Sequence, residues 1–226
     1  MRGFLEVRSP QNSLIAWGEF IQVAHGDRIT AETVFHFKDG SMDQETTVFS
    51  QRWHFKLISD HHIQKGAFFP HPMETWIDAR KKQVTVRSTG KDGKEQIKTD
   101  HLNLPPDLAN GMLPLIVENA APDAQQTTVS MVVFTPAPRL VQCVISPAGE
   151  TPFSVAGASL HASQYQLKFD LGAVTGTLAH LVGKQPPVIH FWILGGAAPL
   201  FLREQGPIYD DGPVLSIALA GLSWGN

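Results

Sequence analysis

Hydrophobic and polar side chains alternate along most of this chain with a period of two, which is the pattern of β-strands. Residues 28–38 place Ile29, Phe35 and Phe37 on one face and charged or polar side chains on the other. The Asp39-Gly40 pair that follows is typical of a tight hairpin turn. Both observations predict antiparallel strands joined by short turns.

A second long run, residues 47–59, has the same alternation. Read as one strand, it places five side chains on its inner face: Phe49, Gln51, Trp53, Phe55 and Leu57. If that strand continues to residue 63, the period of two turns His61 inward and Asp60 and His62 outward. The alternation therefore predicts that aromatic side chains line the inner face of this strand.

Further strands follow in the second half of the chain, including VTGTLAHLV at 174–182 and VIHFWIL at 188–194. The second of these is apolar on both faces, which indicates a central strand covered on both sides. His190 lies in its middle and shares a face with Val188, Trp192 and Leu194. An imidazole in such a strand is either a hydrogen-bonded core residue or a functional group with a tuned pKa.

One segment has helical spacing, with Leu108, Met112, Leu115 and Ile116 on a common face. We predict that the segment 104–119 is helical and covers the apolar face of the sheet. Asp107 is the candidate residue to cap the start of the helix. Gly111 and Pro114 indicate that this helix is short or divided in two.

The fold predicted from these patterns is mainly β, a strongly curved antiparallel sheet or half-barrel of about ten to twelve strands with one short helix. We expect a single β domain over residues 1–226. It comprises an N-terminal meander (1–103), the helix (104–119) and C-terminal strands (127–221).

Composition narrows the classes of function. The formal charge of −3 and the pI near 6.3 argue against nucleic acid as a partner. The single cysteine, Cys143, alternates with apolar neighbours and is predicted to be a buried apolar residue. No apolar run is long enough for a transmembrane helix, and no signal peptide precedes the first strand-like residues.

Three segments carry a resemblance to known proteins: GDRITAETVFHFKDGSMDQETTVFSQ, HLNLPPDLANGM and REQGPIYDDGPVLSIAL. They resemble an uncharacterised group of bacterial, often exported, β-proteins, related to domain-of-unknown-function families with a lipoprotein-carrier-like half-barrel. The resemblance implies a curved sheet with a helix against its concave face. It also implies a periplasmic or secreted location, with the cytoplasm as the alternative, and it brings no catalytic residues.

Signature motifs of the common enzyme classes are absent, including GxSxG, HExxH, the P-loop and GxGxxG. The histidine-rich stretch ISDHHIQKGAFFPHP, residues 58–72, does not combine three ligands with compatible geometry, because His61 and His62 point to opposite faces. We therefore expect no metal and no cofactor.

The predicted function is binding of an apolar or amphipathic small molecule, such as a lipid, on the concave face of the sheet. The predicted ligand-binding residues are Phe35, Phe37, Gln51, Trp53, Phe55, His190 and Trp192. A hydrolase or isomerase that uses His190 or His61 as its general base is the alternative. A structural protein that associates through a sheet edge would instead show a large apolar surface patch.

Overall fold

The computed structural model describes residues 1–90, 93–120, 125–134, 137–155, 158–170 and 186–223. Within these ranges the protein contains one antiparallel sheet of fourteen strands and one short helix. The class is as the sequence predicts, but there are more strands than ten to twelve, because runs read as one strand are divided by turns. The predicted strand at 174–182 lies outside the described residues.

The bounds of the elements, in chain order, are β1 (Arg2–Arg8), β2 (Leu14–His25), β3 (Arg28–Phe37), β4 (Met42–Ser50), β5 (Lys56–Lys65), β6 (Met73–Asp78), β7 (Gln83–Thr89), β8 (Glu95–His101), α1 (Leu113–Glu118), β9 (Thr127–Val133), β10 (Arg139–Val155), β11 (Ala158–Asp170), β12 (Ile189–Leu194), β13 (Leu200–Gly206) and β14 (Leu215–Ser223). The order across the sheet is β8-β7-β6-β5-β4-β3-β2-β1-β14-β13-β12-β11-β10-β9. Strands that follow one another in the chain pair in the sheet, except β8 and β9, and β1 also pairs with β14. The sheet is open, since β8 and β9 are its two edges.

The sheet is strongly curved, and its inner face holds the core. Ile29 of β3, Phe49 of β4 and Val84 of β7 belong to the same buried cluster as Val132 of β9. Side chains of strands from the two ends of the strand order therefore pack in one cluster. A second cluster lies on the inner face of β9–β12 and includes Cys143, which is fully buried. Burial raises the pKa of that thiol to about 12, which fits an unreactive core residue.

The segment between the two edge strands fills the space inside the curve. Leu104, Leu108 and Met112 are buried among the side chains of β3–β7 and β9. The expectation that this segment covers the apolar face is confirmed for Leu108 and Met112, whereas Leu115 and Ile116 are only half-buried.

The helix itself is shorter than predicted and does not begin at Asp107. It spans only Leu113–Glu118, and Met112 occupies its N-cap without a side-chain hydrogen bond. Gly111 just before it has φ +67°, a conformation that interrupts a right-handed helix. Asp107 instead accepts hydrogen bonds from Ser130, at 3.2 Å from its backbone N–H and at 3.1 Å from its hydroxyl.

The stretch before the helix protects the edge strand β9. The Ala109 N–H donates to the Ser130 carbonyl at 2.8 Å. Asn110 continues the pairing with its side chain: its amide nitrogen donates to the Val132 carbonyl at 2.9 Å, and its amide oxygen accepts from the Val132 N–H at 2.8 Å. These bonds occupy backbone groups that an edge strand would otherwise leave open to other chains.

The two ends of the curved sheet differ. At one end, aromatic side chains of two loops close the interior: Phe68 stacks on Phe37 with ring centroids 4.3 Å apart, and Tyr209 contacts Phe68 and Phe69 edge-on. The opposite end carries helix α1 and the β2–β3 turn. The interior is therefore sealed at the aromatic end and approached from the helix end.

Candidate functional site

A row of polar side chains lies on the inner face of two neighbouring strands. On β4 the inward positions are Asp43, Glu45, Thr47 and Phe49; on β5 they include Asp60, His62 and Gln64. The antiparallel register places Gln64 opposite Asp43, His62 opposite Glu45, and Asp60 opposite Thr47. Together with Glu204 of β13, these six polar residues of β4 and β5 form what we call the polar cluster.

The inward position of Asp60 and His62 comes from a β-bulge. Leu57 pairs with Phe49 and Ser59 with Val48, so β5 contains one extra residue at this point. An extra residue reverses the faces of all positions after it. The prediction that His61 points inward and Asp60 and His62 outward is therefore wrong.

Hydrogen bonds connect the polar cluster and anchor it to the far loop. His62 Nε2 donates to Asp43 Oδ1 at 3.1 Å, and Gln64 Nε2 donates to Asp43 Oδ2 at 2.8 Å. Gln64 Nε2 also lies 2.7 Å from the Ile208 carbonyl oxygen. Thr47 Oγ1 donates to Asp60 Oδ1 at 2.8 Å. Asp43 is thus held from two sides by donors.

Burial raises the pKa values of both glutamates of the cluster. Burial, reinforced by the neighbouring Asp60 and Asp43 carboxylates, raises the pKa of Glu45 to about 8. Glu204 lies on β13, close to Glu45, and burial raises its pKa to about 7. Burial also raises the pKa of Asp60, although the Thr47 hydrogen bond opposes that change.

His62 supplies the positive charge. Burial alone would lower the pKa of its imidazole, but the hydrogen-bonded Asp43 and the adjacent Glu45 and Asp60 outweigh burial and raise that pKa to about 10. The cluster therefore combines a charged imidazolium–carboxylate pair with Glu45, which is mostly protonated at neutral pH, and with Glu204, which is close to half-protonation there.

Thr75 of β6 borders the cluster, because its Cα is paired with that of His62. It is 1% exposed, and its hydroxyl oxygen has no hydrogen-bond partner. Within the ranges described above, no group of three His, Cys, Asp or Glu side chains is arranged to hold a metal ion. The cluster thus joins acids and an imidazole without forming a metal-ligand set.

A recess of about 300 Å³ opens at the helix end of the inner face. It lies between helix α1 and strands β2–β4. Its lining residues are Met1, Gln22, Ala24, Ile29, Phe49, Gln51, Phe55, Leu115 and Asn119. Aliphatic and aromatic side chains form its walls, and three amide side chains supply polar groups.

Gly111 packs against the polar cluster. It packs directly against Thr47 Oγ1, and a Cβ at position 111 would also come within 2.8 Å of Asp60 Oδ1. The positive φ of Gly111 and this close approach both require glycine. Along β4, the inner face therefore changes from the apolar recess at Phe49 to the polar cluster at Thr47.

The structure distributes the sequence-predicted site residues over several places. Gln51 and Phe55 line the recess. Phe35 and Phe37 are on the inner face as predicted, but both are buried in the core cluster at the aromatic end. Trp53 is 88% exposed, because β4 ends at Ser50 and residues 51–55 form a loop. Its predicted position on the inner face is wrong.

His190 and Trp192 lie on the outer face of the sheet, away from the recess. Phe191 and Ile193, which alternate with them along β12, lie in the inner core. Trp192 is 8% exposed and is covered by Arg203, whose Cζ lies 4.9 Å from the ring centroid. The His190 Nδ1 lies 3.3 Å from the Gln164 amide nitrogen. The expectation that this strand is covered on both faces holds for Trp192, but His190 does not reach the concave face.

His61 also lies on the outer face. Its Nε2 donates to Glu74 Oε1 at 2.8 Å, and its ring stacks on Trp76 with centroids 4.9 Å apart. It borders a surface groove of about 340 Å³, whose lining residues do not include Glu74. The imidazole and its carboxylate partner therefore do not face one common cavity.

Sequence reasoning missed the polar cluster, although part of the signal was present. Once Phe49 is placed inward, the period of two also places Thr47, Glu45 and Asp43 inward. That row continues the predicted aromatic face into a charged one. The contribution of Glu204 had no local signal, because it comes from a strand far away in sequence.

Comparison with known proteins shows the fold alone. Neither a protein-family model nor a curated protein matches the chain. A solved structure from Brucella abortus, a β-barrel-like protein of the domain of unknown function DUF1849, is similar at a TM-score of 0.52 with 7% identity. The similarity covers 100% of this chain and 97% of that one. The chain thus resembles an uncharacterised β-protein of a domain-of-unknown-function family.

Proposed function

We propose that the protein binds an apolar or amphipathic small molecule in the recess at the helix end of the curved sheet. The observation that supports this proposal is the recess itself, about 300 Å³ between α1 and β2–β4. This volume is at the lower limit of ordinary ligand pockets, and concave apolar sites with few polar groups are typical of them.

The lining indicates the chemistry of the ligand. Ile29 and Phe49 are buried at the base, while Phe55 and Leu115 are half-buried along the walls. A hydrocarbon group that displaces water from half-buried apolar side chains is bound more tightly. Each Å² of apolar surface that it buries contributes about 25 cal/mol of favourable free energy.

Amide side chains complete the lining. Those of Gln22, Gln51 and Asn119 border the recess, and Asn119 already donates to the Leu115 carbonyl at 2.9 Å. Amides bind neutral or anionic polar heads as donors. A single hydrocarbon chain with a small polar head, such as a fatty acid, fits this combination.

Ala24 offers a direct test. It lines the recess but is exposed, so a large side chain there would fill the opening without entering the core. We expect Ala24→Trp to abolish binding of a fluorescent fatty acid that wild-type protein binds. The matched control is Val23→Trp, because the adjacent side chain points to the opposite face of β2.

Two measurements decide the proposal. Titration with the fluorescent fatty acid should show saturable binding to wild type and to Val23→Trp but not to Ala24→Trp. Native mass spectrometry of the purified protein should show a co-purifying small molecule that organic extraction removes. Equal fatty-acid binding by all three proteins, or by none of them, contradicts the proposal.

The resemblance to exported, carrier-like half-barrel proteins is part of this proposal rather than a separate finding. A periplasmic or secreted protein with an open apolar recess would be suited to carry or sense lipid-like molecules. The alternative, a hydrolase or isomerase, remains a prediction; Glu74, the carboxylate bonded to His61, does not line the groove that His61 borders.

A further inference from the structure

Three turns of the N-terminal half lie together at the helix end of the sheet. In an antiparallel meander, alternate connections fall at the same end. The β2–β3 turn, the β4–β5 loop and the β6–β7 turn are such alternate connections. Hydrogen bonds confirm their proximity: the Gln51 N–H donates to the Asp27 carbonyl at 3.0 Å, and the Ala79 N–H donates to the Ile58 carbonyl at 3.1 Å.

These turns are rich in positive charge. Residues 25–28, 51–56 and 78–82, which we call the basic rim, contain six Arg or Lys and two Asp, a formal charge of +4. The whole chain has a formal charge of −3. The positive charge is therefore concentrated at one end of a protein that is acidic elsewhere.

Most of this charge faces solvent. The basic side chains of the rim, all exposed, are Arg28, Arg52, Lys56, Arg80, Lys81 and Lys82. In the part of the chain that the structure describes, Arg52 pairs loosely with Asp27 at 3.8 Å and Lys81 with Asp78 at 3.3 Å. The rim therefore keeps an excess of positive charge that can act on an external partner.

An exposed tryptophan lies within the same rim. Trp53, in the β4–β5 loop, is 88% exposed, more than any other large apolar side chain in the described ranges. Arg52 and His54 flank it in sequence, and both are exposed. A tryptophan in a stretch that also carries the exposed Arg52 and Lys56 matches the composition of protein segments that sit at a bilayer interface.

We propose that the basic rim docks onto an anionic lipid bilayer surface, with the Trp53 ring inserted at the level of the headgroups. Lipid phosphates neutralise the rim cations, and the indole ring leaves water. Gln51 and Phe55, two residues to either side of Trp53, line the recess. Docking would thus hold the opening of the recess next to the membrane. The rim and the recess share Gln51 and Phe55, but Arg80 and Lys81 do not line the recess, so docking and ligand binding can be tested separately.

Vesicle sedimentation tests the docking. Wild-type protein should sediment with vesicles of equimolar phosphatidylcholine and phosphatidylglycerol, and not with pure phosphatidylcholine vesicles. Added salt should weaken the binding, because the charges are exposed. Trp53→Ala should lower the affinity by about tenfold or more, because the free energy of burying one large apolar side chain is lost. Arg80→Gln/Lys81→Gln should lower it by about thirtyfold, since each basic residue near the surface contributes about fivefold.

Matched controls keep the result specific. Trp17→Ala removes a tryptophan that is 52% exposed on β2 but outside the rim. Lys38→Gln/Lys65→Gln removes two exposed charges at the opposite end of the sheet, one in the β3–β4 turn and one at the end of β5. We expect both controls to bind vesicles like wild type.

Three results would overturn the docking surface. They are no binding of wild type to anionic vesicles, equal losses in rim and control variants, and a dimer in solution that Trp53→Ala converts to monomer. The last result would mean that the rim is an interface between copies of the chain. Fatty-acid binding measured on Arg80→Gln/Lys81→Gln reports on the recess alone, so failure of docking and failure of the proposed function are distinguishable.

Discussion

Asp43 and His62 form a hydrogen-bonded ion pair inside the curved sheet, with 3.1 Å between Oδ1 and Nε2. The carboxylate lies on β4 and the imidazole on β5, and Gln64 provides a second donor to the same carboxylate at 2.8 Å. Glu45, directly opposite His62, lacks such donors. The pair therefore stabilises one charge of each sign, while the neighbouring glutamic acid stays protonated.

This arrangement predicts that the protein is more stable in mild acid than in mild base. Folding raises the pKa of Glu45 from 4.5 to about 8, so its stabilising contribution is complete below pH 4.5 and is lost as pH rises through 8. His62, raised from 6.5 to about 10, contributes fully below pH 6.5 and loses its contribution as pH rises through 10. Both groups act in the same direction, so Tm should fall steadily from about pH 5 to about pH 9.

The variant Glu45→Gln assigns this pH dependence to one residue. Glutamine keeps the shape of the protonated acid but does not titrate, so the fall of Tm between about pH 5 and about pH 8 should become shallower. Its free energy of unfolding should exceed that of wild type at alkaline pH, by on the order of 1 to 3 kcal/mol. The exposed Glu95→Gln serves as the control and should leave the profile unchanged. An identical profile for Glu45→Gln and wild type would contradict a titrating Glu45.

Gly111→Ala should be strongly destabilising. Its Cβ would collide with Thr47, and alanine at φ +67° is strained. We expect a loss of about 3 kcal/mol or more in the free energy of unfolding, measured by urea titration. Gly26→Ala separates the two causes, because Gly26 has φ +61° but no atom within 4 Å of the added Cβ. Strain alone should cost it about 1 kcal/mol. Equal losses at the two glycines would mean that the contact with Thr47 is unimportant.

Asn110→Ala should open the protected edge of β9. The substitution leaves the N–H and the carbonyl of Val132 without partners, and Val132 is 2% exposed. Two unsatisfied buried groups should cost about 2 to 4 kcal/mol in total. The control Asn119→Ala removes an exposed side-chain hydrogen bond to Leu115 and should cost less than about 1 kcal/mol. Light scattering after mild heating should show faster aggregation for Asn110→Ala only.

His190→Phe tests whether the sequence-predicted histidine has a functional role. The side chain is half-buried on the outer face and has one weak polar contact, with Gln164. We expect the free energy of unfolding to change by less than about 1 kcal/mol and fatty-acid binding to persist. A loss of binding with unchanged stability would revive the functional interpretation of this histidine.

Strand positions could be predicted because alternation is a local property. The run from Arg28 to Phe37 forms β3 with Phe35 and Phe37 inward, as its period of two indicates. The covered strand around Trp192 and the buried Cys143 also follow from composition over a few residues. Each of these properties is fixed by side chains that are neighbours in the sequence.

The loop and the bulge between β4 and β5 could not be predicted from the same pattern. A period of two counted from Phe49 reaches Trp53 without any sign that the strand ends at Ser50. The extra residue of β5 then reverses the faces of Asp60 and His62, and only the pairing with β4 shows it. Bulges depend on the partner strand, so one strand's sequence does not reveal them.

The sequence by itself determined the class of fold, because most strands carry an alternating pattern of their own. The tertiary structure decided the site. Curvature of the sheet places Glu204 of β13 near Glu45 of β4, and it encloses residues 104–112 between strands from both ends of the order. Burial then sets the protonation of these acids and leaves Trp53 outside. Such distances depend on how fourteen strands twist together, and no short stretch of sequence encodes that geometry.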